Sequence, residues 1–132
     1  MNGINKNIPV DYEEKLNSAM QLRKEEKYSE AIKILELLSQ RKPKLAATFA
    51  MLGATYWDID DLKKAEVALR EATRINAKSE KASVVLFHVL WGAGKHEEAM
   101  EEMKRFCSLQ YSEEYNLILK GLNEALDQEE EI

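Results

Sequence analysis

Cysteine, proline and glycine are scarce in this sequence, and each scarcity closes off a class of protein. A lone cysteine, Cys107, leaves no internal disulfide, so the fold must stand on packing, in keeping with a reducing compartment. Cys107 itself reads as a small, half-buried hydrophobe. Only two prolines, Pro9 and Pro43, and five glycines interrupt a chain dominated by Ala, Leu, Glu and Lys, so helix formers far outnumber breakers. Long hydrophobic runs are also missing. The longest, Val84 to Trp91, contains His88 and falls well short of the roughly 20 residues that cross a bilayer. Met1 to Asp11 shows no basic-then-apolar leader. Excess positive charge is absent as well: the formal net charge is −5, whereas phosphate backbones and anionic lipid both demand clustered Lys and Arg. The expectation is a cytoplasmic protein that binds neither nucleic acid nor membrane.

Catalytic and metal-binding patterns are equally thin. His88 and His96 lack Cys, Asp or Glu partners at a helical spacing that would complete a metal shell. No Gly-rich phosphate loop or nucleophile elbow occurs, and no acidic pair stands out as acid and base. No metal, cofactor or enzymatic activity is expected. His88 reads as a structural histidine or a polar contact, and His96 as a residue that packs by its ring.

What the sequence does contain is order. Apolar residues make up 45% and charged residues 33% of its 132 positions, enough to bury one continuous core. Leu16, Ala19, Met20 and Leu22, then Ala31, Ile32, Leu35 and Leu38, recur at intervals of three and four, the mark of amphipathic helices. Charged, Asp-rich or Gly-rich breaks fall at Glu25 to Ser29, Asp58 to Asp61 and Gly92 to His96. Above this runs a longer period. Ala31, Ala65 and Ala99 stand at a constant separation of thirty-four residues, each followed four residues later by Leu35, Leu69 or Met103. Counting back places repeat starts at Tyr12, Ala46 and Glu80. Six helices in three hairpins follow, with Ser112 placed to cap a seventh through Leu117, Ile118, Leu122 and Leu126. Glu113, Glu114 and Lys120 suit that helix's solvated face, and the acidic run Asp127 to Glu131 reads as a frayed tail.

The middle copy reads Phe49, Leu52, Gly53, Tyr56, Ala65, Leu69 and Ala72, and so resembles the tetratricopeptide-repeat (TPR) family. The first copy keeps Ala19, Leu22, Ala31, Leu35, Leu38 and Pro43 but has Lys15 at the aromatic position and Ser18 where leucine is usual. The third keeps Leu86, Leu90, Ala99, Met103 and Phe106 but has Ser83 at the aromatic position and Phe87 at the small one, which should separate or tilt its helices. The resemblance implies an all-α, right-handed superhelix of three helix-turn-helix hairpins plus a capping helix. Its divisions are an N-terminal extension (1–11), repeats at 12–45, 46–79 and 80–113, and a capping helix with acidic tail (114–132).

In that family the first helix of each pair lines a concave face. Carried onto this chain, the face comprises Glu13, Leu16, Asn17, Met20, Arg23 and Lys24; then Ala47, Ala50, Met51, Ala54, Trp57 and Asp58; then Lys81, Val84, Val85, His88, Trp91 and Gly92. An apolar trough bearing Met and Trp, edged by Arg23, Lys24, Asp58 and Lys81, suits a segment of another protein, extended or helical. The same side chains could instead pack on the N-terminal segment or the capping helix, or serve a homodimer. One subgroup of the family grips chaperone C-terminal carboxylates with Lys, Asn and Arg. The corresponding positions here hold Leu16, Met20, Met51, Lys81 and Val85, leaving too few donors. By size and repeat number the chain is also similar to bacterial secretion chaperones, and a toxin-neutralising protein is another expectation of the same binding class.

Overall fold

A computed structural model of the chain describes residues 10–130. The remainder of the N-terminal extension and the end of the acidic tail lie outside these residues. Seven helices follow one another: α1 (Val10–Lys24), α2 (Tyr28–Ser39), α3 (Ala46–Asp58), α4 (Leu62–Ile75), α5 (Glu80–Gly92), α6 (His96–Leu109) and α7 (Glu113–Glu130). Each of the first five packs on the next, α3 also touches both α1 and α5, and α7 meets α5 and α6 through Tyr115. The odd-numbered helices therefore share one face, and the even-numbered ones back it.

The even helices are amphipathic for a simple reason: each buries a single stripe. Ala31, Leu35 and Leu38 face inward on α2, as do Ala65, Ala68, Leu69 and Ala72 on α4. Burying each such leucine contributes about 1.5–3 kcal/mol. The three alanines of the long period are all fully buried, because helices cross there and only a methyl group fits. On α3, by contrast, six residues are buried around much of the circumference, since neighbours flank it on both sides.

The backbone repeats as faithfully as the alanines. Glu26, Asp60 and Gly94 all have positive φ (61°, 62° and 79°) at the same place in the three hairpin turns. In each turn the next amide donates back across the helix end: Lys27 N to Leu22 O, Asp61 N to Tyr56 O and Lys95 N to Leu90 O, at 2.8–2.9 Å. This left-handed cap satisfies carbonyls that the ending helix leaves orphaned.

The helix crossings differ. At Gly53 an added Cβ would lie 2.5 Å from Leu69 Cγ, so α3 and α4 approach more intimately than the other two pairs. In the third hairpin Phe87 is buried, its ring stacked on Trp91 and edge-on to Tyr115 of α7. Ser83 is not the defect that the sequence suggests. It is buried and hydrogen-bonded to Glu102 at 2.7 Å and to Tyr115 at 2.7 Å. Tyr115 thus supplies from α7 the aromatic ring that α5 lacks.

Ser112 caps α7 by accepting from Tyr115 N at 3.0 Å. Two expectations need correction here. Asp127 to Glu130 are helical, because α7 runs on without a breaker. The face of α7 is also less polar than Glu113, Glu114 and Lys120 imply, since Leu117, Leu119 and Leu126 are exposed.

Candidate functional site

The face shared by α1, α3 and α5 carries the residues expected to form a groove. From α1, Met20 is exposed, and Leu16 and Arg23 are half-buried, while Lys24 points to solvent. From α3, Ala50 and Met51 are half-buried and Trp57 is 38% exposed. Ala54 is only 3% exposed, because α3 is hemmed in by its neighbours, so it offers the face almost no surface. From α5, Lys81 is exposed, and Val84, Val85, His88 and Trp91 are half-buried. Leu16, Met51, Val84, Val85 and Trp91 rest on the buried core, which holds them in place.

Aromatic rings tie the second and third hairpins together. Trp57 stacks on His88 with ring centroids 5.8 Å apart and planes 4° from parallel. His88 meets the edge of Phe87, Phe87 stacks on Trp91 at 5.7 Å, and Trp91 packs on His96 at 4.2 Å. The sequence points to Trp57, His88 and Trp91, but treats Phe87 only as a misfit. Its place beside His88 and four residues before Trp91 on one helix was the available signal. His96 packs by its ring, as expected, although it remains exposed. Each of these contacts contributes about 0.5–1.5 kcal/mol beyond burial and fixes the rotamers of a surface that stays partly open.

The charged edge is less free than the sequence implies. Arg23 Nε donates to Asp58 Oδ2 at 2.6 Å, joining α1 to α3 across the edge of the face. Lys24 and Lys81 form no ion pair among the described residues. The face thus combines an apolar floor with two unpaired ammonium groups at its border.

The surrounding chemistry is quiet. Among the described residues, no three His, Cys, Asp or Glu side chains gather into a metal-binding group. Cys107 is exposed, not half-buried, because α6 turns it away from the core. Partial desolvation of the sulfur, and then the Glu80 carboxylate, push its thiol above the ordinary value, so it stays protonated at neutral pH. Among the described residues, no helix is long and apolar enough to cross a membrane.

A family model described as tetratricopeptide repeat matches residues 46–79. Among curated proteins the sequence finds no match. Several solved structures share the fold. The type III secretion translocator chaperone SycD of Yersinia enterocolitica aligns with a TM-score of 0.77 at 18% identity, over 97% of this chain and 100% of SycD. The first TPR of Spaghetti (RPAP3), bound to the HSP90 peptide SRMEEVD, gives 0.77 at 20% identity, over 89% of this chain and 96% of that one. MamA from Desulfovibrio magneticus RS-1 gives 0.70 at 22% identity over 76% of this chain, which spans 57% of the MamA chain. The matched repeat and these shared folds make one conclusion plain: residues 46–79 are a tetratricopeptide repeat, and the seven helices take the fold of tetratricopeptide-repeat structures.

Proposed function

We propose that this chain is a non-catalytic protein-interaction module that holds a segment of another polypeptide across α1, α3 and α5. One observation carries the reading: both tryptophans, Trp57 and Trp91, stand on that face, only partly covered and locked by His88 and Phe87. Preorganised aromatic side chains beside Leu16, Met20, Met51, Val84 and Val85 give a partner large contact area at little entropic cost. Apolar anchors with an acidic flank are the partner chemistry that fits, since Lys24 and Lys81 border the floor. Carboxylate clamping of the kind that holds a chaperone tail does not fit, because Leu16, Met20, Met51 and Val85 offer no donors.

A second reading has its own support. The likeness to SycD runs end to end, and the CopN-Scc3 complex also shares the fold, with a TM-score of 0.74 at 16% identity over 94% of this chain and 82% of that one. In that reading the occupant is an apolar stretch of a cytoplasmic export substrate that is shielded until release.

Affinity capture from the native cell followed by mass spectrometry, with Trp57→Ala/Trp91→Ala as control, tests the proposal. Loss of both rings should lower partner recovery at least tenfold while helical circular dichroism is kept. Equal recovery by the double variant would remove the face from consideration.

A further inference from the structure

A cleft of about 740 Å³ opens between α2 and the α3/α4 pair, and none of its lining residues belongs to the face described above. Its floor is apolar: Phe49, Leu52, Tyr56, Ala68 and Val67, the last 72% exposed. Its margin carries three lysines, Lys44, Lys63 and Lys64, and two glutamates, Glu36 and Glu71. Both glutamates are already engaged. Glu36 accepts the Tyr56 hydroxyl, and Glu71 is clamped by Arg74 at 2.6 Å. That clamp, with a weaker contribution from Lys44, holds the Glu71 carboxyl below its ordinary range. The lysines are not ion-paired among the described residues. Lys44 and Lys64 instead hang over the rings of Phe49 and Tyr56, at 6.0 and 5.7 Å. The cleft therefore presents an oily floor under a modest excess of positive charge, three lysines against two glutamates of which Glu71 is already paired with Arg74.

The complementary surface lies at the other end of the same chain. On α7 the stripe of Tyr115, Ile118 and Leu122 rests on α5 and α6, but its continuation does not. Leu119 and Leu126, seven residues apart and so on one side of the helix, are 40% and 57% exposed. Beyond Lys120 the helix has no basic residue and carries Glu124, Asp127 and Glu129. One copy cannot satisfy itself, since α7 packs beside α5 and α6 while the cleft belongs to the first two hairpins.

We propose that this cleft is the docking site for the C-terminal half of α7 from a second copy of the chain, Leu119 and Leu126 entering the floor and the acidic side chains meeting Lys44, Lys63 and Lys64. A helix is about 10–12 Å across with its side chains, so it lies along the mouth and inserts leucines, as amphipathic helices do in grooves. The contact joins two different patches, so it closes into a small ring or continues as a chain. The α1/α3/α5 face stays open throughout, and the two proposals stand or fall separately.

Sedimentation equilibrium on the full chain decides the matter, using a cleft variant, Lys63→Glu/Val67→Asp, and a helix variant, Leu119→Asp/Leu126→Asp. All four side chains are exposed or lie at the surface, so both variants should keep wild-type helicity and thermal midpoint. Should Val67→Asp perturb folding, Lys44→Glu/Lys63→Glu carries the same expectation. The wild type should exceed monomer mass at raised concentration and shift towards monomer in 0.5 M salt. Each variant alone should be monomeric, and an equimolar mixture, which restores one intact cleft and one intact helix, should form a one-to-one pair. A wild type that stays monomeric at millimolar concentration overturns the proposal. So does a cleft variant that associates like the wild type, which would mean α7 meets α7, or a mixture that remains monomeric.

Discussion

The Tyr115 hydroxyl lies 2.7 Å from Ser83 Oγ, inside a buried chain of hydrogen bonds that fastens α7 to α5 and α6. Ser83 donates in turn to Glu102, which takes Arg105 Nε at 2.8 Å and Nη2 at 2.6 Å. With Ser83 donating to Glu102, Tyr115 must donate to Ser83. Burial first, and then the Glu102 charge, push the Tyr115 phenol well above its ordinary range, so it keeps its proton at any working pH. Tyr115→Phe keeps the packing and loses one bond, for about 1 kcal/mol in urea unfolding. Ser83→Ala leaves the buried Tyr115 hydroxyl without its acceptor and removes one of the three bonds to Glu102, which keeps Arg105, so it should cost more, about 1–3 kcal/mol. Equal losses for the two variants would mean that the chain is not cooperative.

Gly53 should tolerate no side chain. The Cβ of Gly53→Ala would meet Leu69 Cγ at 2.5 Å and the Ala65 carbonyl oxygen at 3.2 Å, and Leu69 is fully buried with nowhere to go. Overpacking of this kind costs about 1–3 kcal/mol, against the small gain that Ala normally brings to a helix. Thermal denaturation reads the sign directly, and a more stable Gly53→Ala protein would refute the close crossing.

Two of the three hairpin turns make opposite predictions at equivalent positions. Gly94 has φ +79° and open space where a Cβ would stand, so Gly94→Ala loses only conformational ease, about 1 kcal/mol. Glu26 holds a similar φ of 61° with a full side chain, and Glu26→Gly should gain up to about 1 kcal/mol. Chemical denaturation of the two variants side by side should move the midpoint in opposite directions.

Glu66 joins the second hairpin to the third, accepting from Arg70 at 2.8 Å and Lys95 at 2.8 Å. Burial alone would raise its carboxyl, but the bonds from Lys95 and Arg70 outweigh it and hold the group below its ordinary 4.5. A depressed carboxylate adds stability that is complete above its unfolded value and is lost as pH falls through the folded one. Glu66→Gln should therefore cost about 0.5–1 kcal/mol at pH 7, with the gap to wild type closing below pH 4.5. A gap that persists at pH 3 would assign the loss to packing.

Much of this architecture was legible because it is periodic. Ala31, Ala65 and Ala99 announce three crossings, and the breaks between helices are spelled by charged and glycine-containing turns, so helix order and class follow from local chemistry. Contacts between repeats were not legible in the same way. Nothing local ties Ser83 to Tyr115, thirty-two residues on, or Arg23 to Asp58, thirty-five residues on. The partners of Phe87 were not legible either, because they lie on the groove side and on α7, which no comparison of repeats aligns. The exposure of Cys107 depends on a helix face that the pattern of Ala99, Met103 and Phe106 defines only once α6 is seated.

Iodide quenching of intrinsic fluorescence tests the binding face most directly, because the two tryptophans of the chain, Trp57 and Trp91, both stand on it. A saturating amount of the captured partner should shift emission to shorter wavelength and protect both indoles, which single Trp57→Phe and Trp91→Phe proteins would report one at a time. Unaltered quenching of both indoles in a fully formed complex would place the partner elsewhere and contradict the account.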